Sequence, residues 1–258
     1  MLNRRILPSL VVILCCVFSL ELSVNESRAD DRDLKILLIT GGCCHDYPFQ
    51  TEALKKAVAA QGVKAEWKVV DEGGNGTKAQ ISLYDDPKWA DGFDVVIHNE
   101  CFANTTDPDY IRKITKAHKN GVNAVVIHCA MHTYRAAKID DWREMLGVTS
   151  KMHEHQSNYD VKPVDKKHSI MQGFPAKWTT PKDELYVIEQ VGEHTTVLAV
   201  SVSEKTQKKH PVFWTNEYGK SRVFGTTFGH GNATFEDDVF TKTLGRGILW
   251  AAGKLEKK

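Results

Sequence analysis

Histidines follow strand-like apolar runs at four places in this chain of 258 residues. The runs and the histidines that come after them are 35–40 with His45, 95–97 with His98, 125–127 with His128 and 223–228 with His230. If the first three runs are parallel strands, their carboxyl ends meet at one edge of a sheet, which is where open α/β folds bind ligands. The sequence therefore predicts a single site rich in imidazole groups.

Two further pairs of histidines have a spacing that suits such a site. His128 and His132 are four residues apart, so a helical turn after the strand brings both to one side. His153 and His155 are two residues apart and would share one face of a strand. Imidazole is a common zinc ligand, and the candidates for a divalent metal are His45, His128, His132 and His155. The chain has no HExxH motif and no paired CxxC motif, so polar pocket histidines without a metal are the favoured interpretation, with a metal site as the alternative.

Acid–base chemistry is predicted for His128, His230 and Glu184. Glu184 lies in Asp183-Glu184-Leu185-Tyr186 just before an apolar run, where a carboxylate can act as a base or orient an imidazole. Gly229 and Gly231 flank His230, and two glycines let the backbone approach a ligand closely. Substrate contacts are predicted for a larger set, which is His45, His132, His155, Tyr186 and Arg135.

Four cysteines, Cys43, Cys44, Cys101 and Cys129, also follow predicted strands. They are interpreted either as reduced thiols or as forming at least one bridge, such as Cys44 with Cys101 or with Cys129. A bridge between the adjacent Cys43 and Cys44 is not expected, because neighbouring residues fit disulfide geometry poorly. Cys129 lacks the flanking glycines of a nucleophile turn, so it is predicted to be a small buried residue beside the site.

The amino terminus has the pattern of a secretory signal. Basic residues at 4–5 precede an apolar stretch at 6–20, and Ser27-Arg28-Ala29 places small residues where a signal peptidase cleaves. We expect a signal peptide over 1–29 and a single domain over 30–258, with the mature protein secreted or periplasmic. An uncleaved anchor is the alternative, although the stretch is short for a membrane span, and the mature chain is expected to have no span.

Composition and charge exclude some partners. The chain is 41% hydrophobic and 26% charged, which is typical of a globular domain, and its formal net charge is +1. No basic stripe or nucleic-acid motif is present, so no nucleic-acid partner is expected. A dinucleotide site is also rejected, because the third glycine of the fingerprint after Gly41-Gly42 is missing and Pro48 stands where the helix would begin.

The order of predicted elements favours a parallel sheet. Strands at 34–40, 63–70, 94–98 and 122–128 alternate with helices at 48–61 and 108–120, the second capped by Asp107. Continuous apolar strands of this kind are covered by helices on both faces. After an excursion over 148–184, shorter strands and a hairpin signal at 218–220 predict antiparallel additions, and a last helix spans 236–252.

An ordered set of motifs over about 34–253 resembles the ThuA-like (trehalose utilisation) family. The motifs are Gly41-Gly42 with His45, Val126-Ile127-His128, His155, 168–173, 183–186, 211–214, 218–223, 228–230 and 248–251. The resemblance implies a flavodoxin-like three-layer sandwich of the class I glutamine amidotransferase-like superfamily. It also implies a role in carbohydrate metabolism, on oxidised (keto) sugars. The amidotransferase triad does not transfer to this chain, because no glycine-flanked turn surrounds Cys129.

Together the residues and the resemblance predict an exported enzyme, a hydrolase, lyase or isomerase, with a small carbohydrate derivative as its ligand. No cofactor is certain, and a divalent metal is the candidate. Two alternatives are a carbohydrate-binding or interaction module without catalysis and a metal-dependent hydrolase. The sequence carries no signal for an oligomeric state.

Overall fold

Five parallel strands form the centre of the larger sheet in the computed structural model, which describes residues 32–255. They are β1 (Leu34–Gly42), β2 (Ala65–Asp71), β3 (Val95–Cys101), β4 (Ala124–Ile127) and the late strand Ser221–Thr226, which is β11. β3 and β4 are buried along their whole length. Successive residues of β1 alternate between two apolar cores, with Ile36 and Leu38 in one and Leu37 and Ile39 in the other. Both faces of the sheet are therefore covered, as the continuous apolar runs predicted.

Helices cover the sheet in two layers. They are α1 (Tyr47–Ala59), α2 (Pro108–Lys119), α3 (Asp141–Leu146), α4 (Asn232–Glu236) and α5 (Asp238–Ala251). α1 and α5 contribute to one core through Leu54 and Ile248, and α2 and α3 contribute to the other through Ile111 and Met145. The predicted cap of α2 is confirmed, because the Asp107 carboxylate accepts hydrogen bonds from the first turn of the helix. The three-layer α/β sandwich is therefore confirmed.

Antiparallel strands extend one side of the sheet. They are β6 (Asp160–Pro163), β7 (Trp178–Thr179), β9 (Thr195–Val202) and β10 (Lys209–Tyr218), and the strand order is β2-β1-β3-β4-β11-β10-β9-β6-β7. β10 and β11 form the predicted hairpin, with Gly219 at a positive φ of 60° in the turn. The later part of the chain thus adds antiparallel strands to a parallel sheet, as expected.

A separate two-stranded sheet pairs β5 (Val148–Ser157) with β8 (Asp183–Val191). It closes the predicted excursion over 148–184, which also contains β6 and β7. The pairing places His153 opposite Tyr186 and Gln156 opposite Glu184, so three steps along β5 match two steps along β8. This β-bulge reorients the side chains that follow His153, with consequences for the site.

The structure corrects one strand boundary. β3 continues to Cys101, so His98 lies inside the strand and is fully buried rather than standing at its end. His98 therefore does not join the histidines at the carboxyl edge.

The predicted signal peptide lies outside the described residues. Among residues 32–255 no helix has the length and the apolar character that crossing a membrane requires.

Candidate functional site

Three imidazoles meet at the carboxyl edge of the parallel strands. His45 lies in the loop after β1, His128 directly follows β4, and His230 lies in the segment after β11. The ring centroids are 5.0 Å apart for His45 and His128, 5.0 Å for His45 and His230, and 5.4 Å for His128 and His230. We call these three residues, with Glu184, the edge cluster. The structure brings these three histidines together from distant parts of the sequence, as predicted.

A strained turn sets the position of His128. Its φ is +48°, a region that residues other than glycine rarely adopt. Gly229 makes room for this turn, because a Cβ there would lie 3.1 Å from Ile127 Cγ2 and 3.3 Å from His128 Cβ. Gly229 itself has a φ of +132°. The glycine before His230 therefore serves the close approach that the sequence suggested.

Backbone carbonyls fix the tautomers of two imidazoles. His128 Nδ1 lies 2.7 Å from Thr227 O, and His45 Nδ1 lies 3.1 Å from His230 O. A carbonyl oxygen only accepts, so each Nδ1 carries the proton and each Nε2 carries the lone pair. Both Nε2 atoms are buried and have no hydrogen-bond partner among the described residues. They are available to take a proton or to bind a cation.

The Glu184 carboxylate lies between the imidazoles. Its Oε2 is 3.6 Å from His128 Nε2 and its Oε1 is 3.3 Å from His230 Nδ1. Oε2 is also 3.5 Å from Nδ1 of His153. The Glu184 side chain is only 10% exposed, so its charge acts on the neighbouring imidazoles with little screening by solvent.

The environment separates the pKa values of the histidines. Burial lowers the pKa of His128 well below its usual value and lowers the pKa of His45 to about 4, against the effect of the backbone hydrogen bond. The contact with Glu184 raises the pKa of His230, although burial opposes this. Burial disfavours ionisation of Glu184, but the His230 hydrogen bond and the nearby His153 outweigh it and lower its pKa. His128 is thus a neutral imidazole that can act as a base, and His230 is the imidazole that is more readily protonated and can act as an acid.

Asp183 holds the loop that carries His230. Its buried carboxylate accepts hydrogen bonds from the backbone N–H groups of Gly229 at 3.0 Å and His230 at 3.3 Å, and from Thr234 Oγ1 at 2.6 Å. Burial raises the Asp183 pKa to about 6, against these hydrogen bonds. Asp183 was not among the predicted site residues, although its place beside Glu184 at the start of an apolar run was a signal.

Stacked rings form one wall of the site. The Tyr186 ring stacks on His132 with centroids 4.1 Å apart and lies 4.9 Å from His128. His132 and His128 therefore face the same side, as their spacing predicted. Because Tyr186 is fully buried behind His132, it supports the wall rather than offering a free face to a sugar.

His132 is engaged at both nitrogens. Its Nδ1 lies 3.4 Å from Arg135 Nη1, and its Nε2 lies 3.0 Å from Ser150 Oγ. Arg135 also donates to Lys151 O at 3.0 Å and is exposed at the rim. Burial and the Arg135 charge lower the His132 pKa to about 3. His132 therefore has no lone pair for a metal, which corrects the predicted ligand set.

His155 is placed away from the edge cluster. It is exposed and its Nε2 lies 3.2 Å from Glu204 Oε2. The β-bulge breaks the two-residue alternation on which its prediction depended, so His153 and Gln156 face the cluster instead. The side-chain Nε2 of Gln156 lies 2.7 Å from His230 Nε2. His153 and Gln156 are contacts that sequence reasoning missed, because no local signal reveals a bulge.

Three of the ring nitrogens could hold a metal ion. One nitrogen from each of His45, His128 and His230 lies within 4.8 Å of the others. A zinc ion with ligand bonds of about 2.0–2.1 Å requires nitrogens about 3.3 Å apart, so the cluster would need a modest contraction. Of the predicted ligands, His45 and His128 belong to this set, whereas His132 and His155 do not.

The four cysteines lie beside the edge cluster in two pairs. The structure bonds Cys43 to Cys44 and Cys101 to Cys129. The expectation against a bridge between adjacent cysteines was wrong, and neither of the suggested partners of Cys44 is bonded to it. A ring nitrogen of His45 and the sulfurs of Cys101 and Cys129 lie within 4.8 Å of one another.

Cavity volume does not identify the edge cluster as the functional site. A cavity of about 890 Å³ lies elsewhere and is lined by residues that include Arg143, Gly147, His194 and Tyr218. None of its lining residues belongs to the edge cluster. What identifies the edge cluster instead is that the free nitrogens of His45 and His128 lie close to the Glu184 carboxylate and to His230.

A family model described as trehalose utilisation, ThuA, matches residues 35–251. The chain belongs to the ThuA family. No curated protein matches the chain at a significant level. The resemblance seen in the sequence is thereby confirmed over nearly all of the described residues.

Solved structures support the ThuA fold. A ThuA-like protein from Parabacteroides merdae superposes with a TM-score of 0.71 and 22% identity, covering 88% of this chain and 93% of that one. A ThuA-like protein from Bacteroides uniformis gives 0.65 and 16%, covering 89% and 94%. A protein from Thermoplasma acidophilum that is described as part of a GMP synthase gives 0.54 and 12%, covering 86% and 95%. The glutamine amidotransferase-like, flavodoxin-like fold is therefore shown.

This member of the ThuA family has an imidazole at its strained turn after β4. A nucleophile turn of this kind holds its reactive residue in a strained conformation between a strand and a helix. Here His128 has the positive φ, and Cys129 follows it and is bonded to Cys101. The turn therefore presents a ring nitrogen, with no free thiol beside it.

Proposed function

We propose that this ThuA-family chain is an exported enzyme that acts on a sugar or keto-sugar derivative by proton transfer among His128, His230 and Glu184. The family is described as trehalose utilisation, which supports a carbohydrate-related role. The substrate class and the chemistry are inferred from the edge cluster. Residues 27–29 support export, because they have the small-residue pattern of a cleavage site.

The observation that carries the proposal is the opposite character of two neighbouring imidazoles. His128 is neutral, and its Nε2 lone pair lies 3.6 Å from Glu184 Oε2. His230 is the imidazole that the carboxylate favours in its protonated form. Paired groups whose environments separate their pKa values are typical of a base and an acid acting on one substrate.

The orientation of Gln156 supports this assignment. The Gln156 side-chain amide lies 2.7 Å from His230 Nε2, and it can donate its N–H to the neutral ring or, with the amide turned, accept from the imidazolium through its oxygen. In both forms His230 Nδ1 carries a proton 3.3 Å from Glu184 Oε1. Asp183 fixes the backbone of the same residue. His230 is thus held with its proton next to the carboxylate and to the space between the rings.

A keto-sugar suits these groups because its chemistry needs no redox cofactor. His128 Nε2 would remove a proton from the carbon beside the carbonyl, and the His230 imidazolium would protonate the oxygen that gains charge. Glu184 would stabilise the imidazolium while the proton moves. Positioned acid–base groups of this kind contribute about 10²–10⁴-fold in rate.

Residues at the margin of the cluster would orient the substrate. The free Nε2 of His45 can accept from a hydroxyl group. Arg135 at the rim provides donors, and the 41% exposed side chain of His153, whose Nδ1 donates to Glu154 O, offers its Nε2 as an acceptor. These contacts are polar and spaced across one wall, which fits a ligand with several hydroxyl groups.

The test is turnover of oxidised disaccharides by the purified mature protein. We expect activity in the wild type and a loss of at least about 10²-fold in a variant combining His128→Asn with His230→Ala. His194→Ala is the matched control, because the His194 side chain is exposed, pairs with the adjacent Glu193 and lies outside the edge cluster. Equal turnover in the wild type and the double variant would exclude the proposal. Sugar binding without turnover, unchanged in the double variant, would support a binding module instead.

A metal-dependent hydrolase is the second candidate, favoured by the three nitrogens that lie within 4.8 Å of one another. In that case the lone pair of His230 Nδ1 would face the cation, and its Nε2–H would donate to the Gln156 amide oxygen. Elemental analysis of protein purified without a histidine tag distinguishes the two. A stoichiometric divalent ion that is lost in His45→Ala would favour the metal, whereas full activity in chelator would exclude it.

A further inference from the structure

The four cysteines form a chain of neighbouring sulfurs that begins at the surface. Cys44 is exposed, Cys43 and Cys129 are half-buried, and Cys101 is buried at 3% exposure. Cys43 is bonded to Cys44, and we call these two residues the outer pair. Cys101 is bonded to Cys129, and we call these two the inner pair. Cys43 Sγ lies 3.7 Å from Cys101 Sγ, so the two disulfides are in contact through their inner sulfurs.

We propose that Cys43 and Cys44 form a thiol–disulfide exchange site that accepts electrons from an external dithiol and passes them to the Cys101–Cys129 disulfide. The external partner is a dithiol of the type that reduces exposed protein disulfides. This activity is independent of the sugar chemistry, since it uses sulfur atoms that the edge cluster does not include.

The exposure of the sulfurs determines the direction of entry. A thiolate attacks the sulfur that it can reach, and Cys44 is the exposed member of the outer pair. Attack on Cys44 Sγ breaks its bond to Cys43 and leaves Cys43 as a thiolate 3.7 Å from Cys101 Sγ. The second thiol of the reductant then displaces Cys44 as a thiol, and the reductant leaves as its own disulfide.

Reduction of the Cys101–Cys129 disulfide follows from the contact between Cys43 Sγ and Cys101 Sγ. The Cys43 thiolate attacks Cys101 Sγ, forms a Cys43–Cys101 bond and releases Cys129 as a thiolate. The Cys44 thiolate then attacks Cys43 Sγ, restores the outer bond and releases Cys101. The net change is a dithiol plus the inner disulfide giving a disulfide plus two thiols, with both protons of the dithiol passed to Cys101 and Cys129.

The backbone conformation of Cys44 is also unusual. Cys44 has a φ of +86°, a conformation that residues other than glycine rarely adopt. Opening the bond to Cys43 frees this residue to leave that conformation. Gly42, just before the pair, is equally restricted, because a Cβ there would lie 2.6 Å from Cys101 O. The loop is therefore held directly against the inner pair.

The experiment is timed reduction of the purified mature protein with dithiothreitol, followed by alkylation and peptide mapping. We expect Cys43 and Cys44 to become alkylated first, with Cys101 and Cys129 following. In the variant carrying Cys43→Ala and Cys44→Ala, opening of the inner disulfide should be at least about tenfold slower, because no adjacent thiolate attacks it. Equal rates of inner opening, or an inner pair that opens first, would overturn the proposal.

A trapping variant provides the second measurement. Cys44→Ser leaves the Cys43 thiol facing the inner disulfide, so we expect a Cys43–Cys101 bond and an alkylatable Cys129 after equilibration. In the matched Cys43→Ser variant the remaining thiol is exposed Cys44, and we expect an intact Cys101–Cys129 bond. An intact inner bond in both variants contradicts the proposal, as does a wild type whose four cysteines are all thiols bound to metal. If the variants do not fold, the order of opening in the wild type still decides.

Discussion

Two histidine clusters in this protein differ in whether their ring nitrogens are free to bind a ligand or take up a proton. The edge cluster opens to solvent through His230, whose side chain is 23% exposed. A second group, which we call the core cluster, consists of His98, Glu100 and His118 and is fully buried between the sheet and α2. Both clusters contain an imidazole nitrogen close to a glutamate oxygen, at 3.0 Å for His98 and Glu100 and at 3.6 Å for His128 and Glu184. Proximity of histidine to carboxylate therefore does not separate a site from a structural contact.

The partners of the ring nitrogens separate the two clusters. His118 Nδ1 donates to Val122 O at 2.7 Å, so its Nε2 must accept from His98 Nε2–H at 3.0 Å. His98 Nδ1 then faces Glu100 Oε1 at 3.0 Å, and one proton lies between them. Every imidazole nitrogen of the core cluster is engaged, whereas His45 Nε2 and His128 Nε2 in the edge cluster are not. Free imidazole lone pairs beside a partly exposed histidine are what indicate chemistry.

The largest expected effect is on turnover in the edge cluster. His128→Asn keeps a donor near Thr227 O and tolerates the positive φ, but it removes the Nε2 lone pair. We expect kcat/KM on an oxidised disaccharide to fall by about 10³-fold with little change in Tm. Steady-state kinetics and a thermal melt measure both. Activity within threefold of the wild type would contradict a base at this position.

In the core cluster the same kind of change should affect stability instead. His118→Ala removes a buried ring and leaves His98 Nε2–H without a partner, which we expect to lower the free energy of unfolding by about 3 kcal/mol. Turnover per folded molecule should not change. Denaturant unfolding measures the effect, and exposed His194→Ala should remain within about 0.5 kcal/mol of the wild type. A loss of turnover without a loss of stability would show that the core cluster has a catalytic role.

Zinc should distinguish the clusters by accessibility. Zn²⁺ at a hundredfold excess over its Kd stabilises a protein by about 2.7 kcal/mol, so we expect the Tm of the wild type to rise by about 5–10 °C. The shift should disappear in His45→Ala and persist in His118→Ala, because of these two clusters it is the edge cluster that has free imidazole nitrogens. A wild type with no shift would remove the metal-dependent candidate.

The smallest expected effect is a displacement of the pH profile. Activity that needs protonated His230 and ionised Glu184 falls as pH rises through the raised pKa of His230 and as pH falls through the lowered pKa of Glu184. Glu184→Gln removes the charge that favours the imidazolium, so the alkaline limb should move to lower pH. The His230 titration followed by NMR should move in the same direction. Glu204→Gln is the control, since Glu204 pairs with the outlying His155, and a titration unchanged in Glu184→Gln would exclude the coupling.

Much of the fold could be predicted from local patterns. The apolar runs located the parallel strands, and Asp107 with Pro108 located the start of α2 within a residue. These signals work because burial and capping act over a few neighbouring residues. The β5 strand was recognised only as a fragment around His153, because its exposed polar residues have no apolar alternation.

For the candidate site, the order of residues along the chain was enough to place His45, His128 and His230 each after a strand, and parallel topology then brought them to one edge. Which nitrogens are free depends on the folded molecule. The acceptors are Thr227 O and His230 O, from distant parts of the chain, and the bulge that brings in Gln156 and moves His155 out depends on pairing with β8. Hydrogen-bond partners and strand register are set by contacts between segments, so no single segment contains the information that fixes them.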